Sequence, residues 1–512
     1  MKKKNILILI IIIVLGMIFI PGQLDQSGPP NVTPNDQQPI DSDSKPKEDV
    51  LSDTFAIRGV IEGFYGEPWT MGQRMKMLEF MSQNHFNTYI YAPKDDPYQR
   101  TQWGDLYSDL RLSQMKQLIK SAEKNGIDFV YSISPGIPAP LPGETLTSSM
   151  IANSITFTSD SDVQRLRNKL EQLQSIGVQT FMLSFDDVEH SLKPIDEKVY
   201  GSDYHLAHID LANQLLLEEK QKDPKFKLWF APTDYYGLND SPYWSGIRSY
   251  LESSIQVIWT GSWVLNKEIT SDQVQQVTNL IGRKPLIWDN YPVNDYTYVV
   301  RKAPQLFMGP LENRSPDLSS YVSGLIANPM IQPESSKISL ATIGQYLYNP
   351  TSYNSQKAWE LALENTEGIV NTAAFQRFCL YSSPSLLNDD INSYFLDLTA
   401  QFWQDYQNGQ RGASETNLRQ ELESLSTLPN SLRQTISNKE LLTEINPWLN
   451  LLGEEGKVAL QALDYLYLSV NDPQKSVMEN DLESKIQALK SNNLKIGTEI
   501  LDFISSAIQA RK

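Results

Sequence analysis

FMLSFDDVE, residues 181–189, is an apolar run that ends abruptly in two adjacent acids. Neighbouring side chains of a regular strand point to opposite faces. Asp186 and Asp187 can therefore serve one pocket only where a buried strand gives way to a loop. Repulsion at this range pushes the pKa values of the two carboxyls apart, so that one stays charged while the other can hold a proton. An isolated pair of aspartates is more often a solvated loop start or a helix cap, so the rest of the chain has to decide.

Seven further runs of strand length accompany this one, and helix-period segments such as Leu110–Lys124 and Tyr204–Lys222 lie between most of them. Eight apolar strands with intervening helices over roughly 250–280 residues predict an α/β fold, a (β/α)8 TIM-type barrel. A doubly wound sheet is the alternative, but it usually has a glycine-rich phosphate turn after its first strand, and none is evident. The eight runs are Ile57–Tyr65, Asn87–Ala92, Asp128–Ser134, Thr180–Phe185, Lys227–Pro232, Gln256–Thr260, Pro285–Asp289 and Gly324–Ala327.

Past Asn349-Pro350 the strand pattern disappears, and the polar breaks between amphipathic segments predict a C-terminal helical bundle. The predicted organisation is a signal or anchor over residues 1–21, a linker over 22–53, the barrel over 54–350 and the helical domain over 351–512. The predicted C-terminal helices are Gln356–Asn365, Asp389–Tyr406, Ala413–Ser426, Lys439–Leu452, Lys457–Val470 and the stretch Val477–Gln509.

The amino terminus carries three lysines, Lys2–Lys4, before an apolar run from Ile6 to Ile20 that Pro21 stops. The run is longer than most signal-peptide cores and shorter than a full span of roughly 20 residues, and no A-x-A cleavage site follows it. We expect an uncleaved anchor with the lysines inside, which places the chain on the outer face of a bacterial membrane. A cleaved signal and secretion are the alternative. Residues 22 to about 52 read as a polar tether.

The net charge of −17, from 44 basic and 61 acidic residues, argues against nucleic acid or an anionic membrane surface as a partner. Membrane contact is expected only through the N-terminal anchor. The single cysteine, Cys379, precludes an internal disulfide. His205 and His208 have helical spacing without a third ligand motif, which favours a helix-surface pair over a metal site.

Polar and aromatic residues recur where the predicted strands end, which is where barrels of this kind gather their active residues. Singly, Trp259 and Trp288 read equally well as core, and Lys94 as a solvated loop residue. Together at one end of eight strands they indicate a site that holds a sugar, because ring faces stack on aromatics while hydroxyls take directional hydrogen bonds. Two acids with divided roles suit the cleavage of a glycosidic bond.

Seven motifs in consistent order resemble glycoside hydrolase family 84, the β-N-acetylglucosaminidases called O-GlcNAcases and bacterial relatives often labelled hyaluronidases. The resemblance covers about residues 55–350 and is weaker over the helical region. The motifs are RGVIEGFYGEPW (58–69), YAPKDD (91–96), SFDDVE (184–189), APTDYYG (231–237), WTG (259–261), WDNYPVNDY (288–296) and ANP (327–329).

The resemblance implies an exo-acting, retaining enzyme assisted by its substrate. Asp186 would orient the substrate's 2-acetamido group, whose carbonyl attacks the anomeric carbon to form an oxazoline. Asp187 would protonate the leaving oxygen and then activate water. No metal or organic cofactor is implied. The implied sugar-site residues are Tyr235 for the acetamide oxygen, Thr260 and Trp288 for the acetamide pocket, and the Gly63 backbone, Lys94, Asn290, Asp295 and Asn328 for ring hydroxyls.

Two other functions stay open at this stage. One is a surface lectin or adhesin that keeps the sugar pocket without turnover, and the other is a glycosidase that degrades hyaluronan. The expected partners are GlcNAc-bearing glycans or glycoproteins. The sequence leaves the aglycone and the oligomeric state open.

Overall fold

Eight parallel strands close into a barrel in chain order in the computed structural model, which describes residues 53–511. Each strand pairs with the next, and β8 returns to β1 with Ile57 opposite Gly324. The predicted TIM-type barrel is confirmed. The strands are β1 Ile57–Glu62, β2 Thr88–Tyr91, β3 Asp128–Ile133, β4 Thr180–Ser184, β5 Lys227–Ala231, β6 Gln256–Trp259, β7 Leu286–Asp289 and β8 Gly324–Ala327.

Alternate side chains of each strand fill the inside of the barrel or pack beneath the outer helices. In β4, Met182 belongs to the inner cluster, whereas Phe181 and Leu183 belong to the outer core. Burial on both faces is why the strands read as continuous apolar runs in the sequence. The inner cluster consists of Ile61, Ile90, Ala92, Val130, Met182, Trp229, Ala231, Ile258, Leu286, Trp288 and Ile326.

Nine helices of the described residues lie within the barrel's stretch of sequence, up to β8, and eight follow that strand. The first begins at a capping box, in which Thr70 accepts from the Gln73 backbone N–H while the Gln73 side chain reaches back to Thr70. The first nine are α1 Met71–Gln83, α2 Asp109–Lys124, α3 Ser148–Asn153, α4 Asp160–Gln174, α5 Pro194–Tyr200, α6 Tyr204–Lys222, α7 Pro242–Tyr250, α8 Ser271–Ile281 and α9 Asp295–Val299. The others are α10 Pro333–Tyr348, α11 Ser355–Glu364, α12 Thr372–Tyr381, α13 Ser393–Gln407, α14 Ala413–Thr435, α15 Lys439–Leu466, α16 Lys475–Lys490 and α17 Thr498–Gln509.

The helical C-terminal region differs from the prediction in how its helices divide. The predicted break between residues 452 and 457 is wrong, since α15 runs unbroken from Lys439 to Leu466. A Cβ at Gly453 would lie 2.4 Å from Pro429 Cγ, and one at Gly456 would lie 2.8 Å from Leu425 Cβ. The two glycines within the predicted break are therefore positions at which α14 approaches α15 closely. Conversely, the stretch Val477–Gln509 divides into α16 and α17.

The predicted anchor, 1–21, and nearly all of the predicted linker, 22–53, lie outside the described residues. Within residues 53–511, no helix combines the length and apolar character that crossing a membrane requires. The predicted boundary at residue 350 stays a prediction. Contacts cross it: Trp359 Nε1, on α11, donates to the Met308 carbonyl over 2.8 Å.

Candidate active site

A cavity of about 200 Å³ opens at the carboxyl ends of the barrel strands. All ten site residues predicted from the sequence line this cavity, although they come from seven different strand ends. Aliphatic side chains from three loops line its mouth. The ten residues are Gly63, Lys94, Asp186, Asp187, Tyr235, Thr260, Trp288, Asn290, Asp295 and Asn328.

The two adjacent aspartates reach one cavity because β4 ends two residues before them, at Ser184. Met182 points into the barrel, so the alternation of a strand also directs Asp186 inward. Asp187 breaks that alternation with a backbone φ of 52°, in the left-handed region that aspartate tolerates better than most residues. This turn brings the second carboxylate to the same cavity as the first.

Lys94, which is buried, lies between the two carboxylates and forms ion pairs with both. Its Nζ lies 3.1 Å from Asp187 Oδ2 and also contacts Asp186 Oδ2. Burial alone would lower the pKa of Lys94, but the two aspartates raise it above its ordinary value. A lysine so placed stays charged and neutralises part of the pair.

Asp187 also accepts hydrogen bonds from two tyrosines. Tyr235 Oη donates to its Oδ1 over 2.9 Å, and Tyr65 Oη donates to its Oδ2 over 3.0 Å. Burial acts to raise the pKa of Asp187, but Lys94 and Arg100 outweigh it and hold that pKa well below its usual range. The expectation that one of the two acids can hold a proton stays a prediction, and in the unliganded site Lys94 and Arg100 favour the ionised form of Asp187.

Tyr65 and Arg100 are the site residues that the sequence reasoning missed. Arg100 donates to the main-chain carbonyls of Asp186 at 2.9 Å and Asp187 at 3.2 Å, and to Tyr65 Oη at 2.9 Å. Arg100 thereby fixes the backbone that carries both acids. Tyr65 stands within a quoted motif, which was a usable signal. Arg100 lies in the loop after β2 with no pattern to distinguish it.

A chain of amide hydrogen bonds crosses the opposite wall of the cavity. Gly63 N–H donates to Asn328 Oδ1 at 3.2 Å, Asn328 Nδ2 to Asn290 Oδ1 at 3.0 Å, and Asn290 Nδ2 to the Val264 carbonyl at 2.8 Å. The Gly63 N–H is thus already used within the protein. A Cβ at Gly63 would lie 2.5 Å from Trp288 Cζ2, so glycine is what lets the indole lie flat on this wall.

Asp295 begins α9 and reaches the cavity beside Tyr65. Its Oδ2 accepts the Tyr65 backbone N–H over 2.9 Å. Burial raises the pKa of Asp295 to about 6, while the backbone hydrogen bonds from Tyr65 and Tyr296 act in the other direction. Asp295 therefore titrates near the acid edge of the neutral range.

The predicted helix-surface histidine pair is buried instead. The His208 ring stacks on Phe185, next to the catalytic candidates, with centroids 3.8 Å apart and planes inclined by 6°. Its Nδ1 lies 2.8 Å from Tyr243 Oη, and burial holds its pKa well below the ordinary value. Within residues 53–511, no group of three or more histidine, cysteine or acidic side chains is placed to hold a metal ion.

Comparison with known proteins gives matches over most of the chain. Residues 58–380 match the family described as beta-N-acetylglucosaminidase, and residues 396–504 match one described as hyaluronidase post-catalytic domain-like. The protein O-GlcNAcase of Rattus norvegicus is 34% identical over 294 residues, which is 56% of this chain. That alignment spans only 29% of the rat protein, and the same holds for the mouse protein.

Two solved structures resemble nearly the whole chain. A mutant of the Thermobaculum terrenum O-GlcNAc hydrolase superposes with a TM-score of 0.80 at 29% identity, covering 89% of this chain and 94% of the other. A protein called CpGH84B gives a TM-score of 0.75 at 28% identity, covering 88% and 77%. The likeness therefore extends from the barrel into the helical region.

Proposed function

The chain belongs to glycoside hydrolase family 84, the family of beta-N-acetylglucosaminidases, and from that premise we propose that it removes terminal β-linked GlcNAc from glycans or glycoproteins by a substrate-assisted, retaining reaction. The observation that carries this proposal is the convergence of Asp186, Asp187 and eight sugar-site residues on one cavity. No metal or organic cofactor is needed for the reaction.

Asp186 is the group we assign to the acetamide. It is buried in the cavity lining, and its carboxylate is paired with Lys94, so that its oxygens can accept the acetamide N–H. Holding that N–H increases the nucleophilicity of the acetamide carbonyl oxygen, which closes on the anomeric carbon. Tyr235, Thr260 and Trp288 surround the volume in which the acetamide would sit.

Asp187 is the group we assign to the leaving oxygen. A general acid needs a proton, whereas Lys94 and Arg100 keep this carboxyl ionised in the unliganded site. Lys94 is also the residue that the family resemblance assigns to a ring hydroxyl. Moving the ammonium from Asp187 to the sugar would raise the pKa of Asp187 and permit protonation once the substrate is bound.

The size of the cavity supports exo action. Its volume of about 200 Å³ is below the roughly 300–1,000 Å³ of pockets for drug-sized ligands, which suits one sugar ring better than an enclosed chain. Lys94, Asn290, Asp295 and Asn328 would take the hydroxyls of that ring. A site whose polar groups bind the terminal hydroxyls leaves no room for a preceding residue.

A chromogenic GlcNAc glycoside with progressively fluorinated N-acetyl groups tests this function. We expect turnover that Asp186→Asn greatly reduces, and rates that fall steeply as fluorine weakens the acetamide carbonyl. Hyaluronan should lose no viscosity early in a digest, because chain ends alone are attacked. Binding without turnover would favour a lectin, and rapid loss of viscosity would overturn exo action.

We also propose that the N-terminal segment anchors the enzyme to the outer face of a bacterial cell membrane, on the strength of Lys2–Lys4 and the apolar run Ile6–Ile20. Intact cells should then show surface activity that protease sheds through residues 22–52. A mature protein that begins near residue 22 and is free in the medium would contradict the anchor.

A further inference from the structure

Trp263, in the loop after β6, has 51% of its surface exposed, and among residues 53–511 no other tryptophan is exposed to this extent. A single exposed indole is not by itself a binding site, so its position relative to the cavity has to decide whether its exposed face has a use. Trp263 directly precedes Val264, which lines the mouth of the cavity. Its ring contacts Tyr236, whose ring contacts the cavity-lining Tyr235, so the indole lies beside the proposed active site.

The loop that carries Trp263 is held rigidly by one buried side chain. Asn266 accepts the Trp263 N–H at 2.9 Å and donates to the carbonyls of Trp263 at 2.7 Å and Thr260 at 2.9 Å. Gly261 has a φ of +133°, and a Cβ there would lie 2.3 Å from Asn266 Nδ2. The positive φ of Gly261 and the hydrogen bonds of Asn266 together fix the backbone that carries this indole.

The ring of Trp263 is supported from behind by Tyr236. Their centroids lie 5.5 Å apart with planes inclined by 25°, which leaves the other face of the indole free. We call Trp263 and Tyr236 the aromatic platform. The Tyr236 ring in turn contacts Tyr235 at 5.4 Å, and Tyr235 donates to Asp187. The platform therefore extends outward from the group that we assign to the leaving oxygen.

The mouth beside the platform is aliphatic. Six aliphatic side chains line the cavity as three sequence-adjacent pairs, after β3, after β6 and at the end of α9, and none of the six carries a charge or a side-chain hydrogen-bonding group. The six are Leu141, Pro142, Val264, Leu265, Val299 and Val300.

We propose that the aromatic platform is the subsite for the aglycone and that its occupant is an uncharged pyranose ring stacked on Trp263. This inference rests on the proposed function, because Asp187 as the acid defines the side on which the aglycone leaves. The C–H face of a pyranose can stack on the free indole while its hydroxyls stay in water at the ring edge.

Two other aglycones fit this mouth less well. A peptide backbone would be desolvated against the aliphatic side chains, which offer its N–H and C=O groups no partners. A glucuronate would bring a carboxylate against the indole face and the aliphatic mouth of a chain whose net charge is −17.

The test compares three glycosides of β-GlcNAc with the full-length chain and its Trp263→Ala and Trp263→Phe variants. The glycosides are the neutral disaccharide GlcNAc-β-1,4-GlcNAc, methyl β-GlcNAc, whose aglycone is too small to reach the platform, and a GlcNAc-serine peptide. Alkyl and sugar leaving groups are both alcohols, so the ratio of kcat/KM for disaccharide over methyl glycoside isolates aglycone binding. Tyr250→Ala, which removes an aromatic ring with 64% of its surface exposed at the end of α7, is the matched control.

We expect Trp263→Ala to lower the disaccharide-to-methyl ratio about tenfold, the size of a well-formed stacking contact, and Trp263→Phe to lower it about threefold. Tyr250→Ala should leave the ratio unchanged. In Trp263→Ala, kcat/KM for the peptide should fall less than kcat/KM for the disaccharide. An unchanged ratio in Trp263→Ala, or a loss that is larger for the peptide, would overturn the assignment. Wild-type protein that cleaves none of the three would instead refute the proposed function itself.

Discussion

Replacing Asp295 by asparagine should make the protein more stable at neutral pH while it impairs sugar binding. In the folded chain, burial raises the pKa of Asp295 from 3.8 to about 6. At 1.36 kcal/mol per pH unit, this difference corresponds to about 3 kcal/mol of free energy that the ionised carboxylate costs the folded state. Partial exposure of Asp295 in the cavity wall makes this an upper value, so we expect a gain of about 1–3 kcal/mol.

The sign of the pH dependence follows from which state holds the proton more tightly. The folded state has the higher pKa, so below about pH 3 both states are protonated and Asp295 has almost no effect on stability. As the pH rises from about 3 to 6, the unfolded chain ionises first, and the free energy of unfolding of the wild type falls. The asparagine variant has no such titration, so its advantage should appear across this interval and stay constant above it.

Thermal unfolding of wild type and Asp295→Asn at pH 4, 5, 6 and 7.5 measures this difference. Asp397→Asn, on the exposed face of α13, is the control for the loss of one negative charge. An Asp295→Asn effect that is the same at pH 4 and pH 7.5 would refute the reasoning, because a pH-independent effect cannot come from the pKa of this carboxyl. A destabilised variant at pH 7.5 would show that the carboxylate's hydrogen bond from Tyr65 outweighs the cost of burying its charge.

Four other predictions concern the acids, a strained glycine and the amino terminus. Asp187→Asn should lower activity about 10²–10⁴-fold on substrates with poor leaving groups and far less on substrates whose leaving group is an acidic phenol. Equal losses of activity across a leaving-group series would show that Asp187 is not the general acid. Asp186→Asn should lose activity on good and poor leaving groups alike, and a trapped glycosyl-enzyme ester would exclude substrate assistance. Gly261→Ala should lower the free energy of unfolding by about 1–3 kcal/mol through strain and contact with Asn266, whereas Gly143→Ala, with positive φ but open space, should lose less. Deleting residues 1–50 should leave an active enzyme, since no barrel strand is removed, and loss of activity would implicate the tether.

The barrel could be predicted because the apolar pattern of each strand depends only on the burial of that strand. A strand buried on both faces must be apolar at nearly every position, so eight runs were visible without knowledge of their neighbours. The division of the C-terminal helices could not be predicted in the same way. Gly453 and Gly456 each weaken an isolated helix by about 1 kcal/mol, and the close approach of Pro429 and Leu425 on a second helix, which favours glycine at both positions, is not visible in the local sequence.

The site residues could be predicted because barrel topology brings the carboxyl ends of the strands together. The ion pairs and pKa shifts of those residues could not be predicted from the sequence. Lys94 and Asp186 are 92 positions apart, and nothing in either motif indicates that the ammonium lies between the two carboxylates. Arg100 was missed for the same reason. It follows β2, but it donates hydrogen bonds to the main-chain carbonyls of Asp186 and Asp187, which follow β4. Repulsion between the pair is the natural expectation for two adjacent acids, but Lys94 and Arg100, from the segment after β2, lower the pKa of Asp187.

The position of Lys94 bears on how a site with two adjacent acids can be both stable and reactive. Without a cation, two buried carboxylates would repel each other, and the pKa of one of them would rise. Lys94, together with Arg100, favours the ionised form of Asp187, which leaves Asp187 without the proton that a general acid needs. On the proposed mechanism, the substrate resolves this conflict, because a ring hydroxyl that draws Lys94 away removes the strongest influence holding the pKa of Asp187 down. Protonation of the acid would then depend on sugar binding, and an empty site would keep its acid ionised until a substrate is bound.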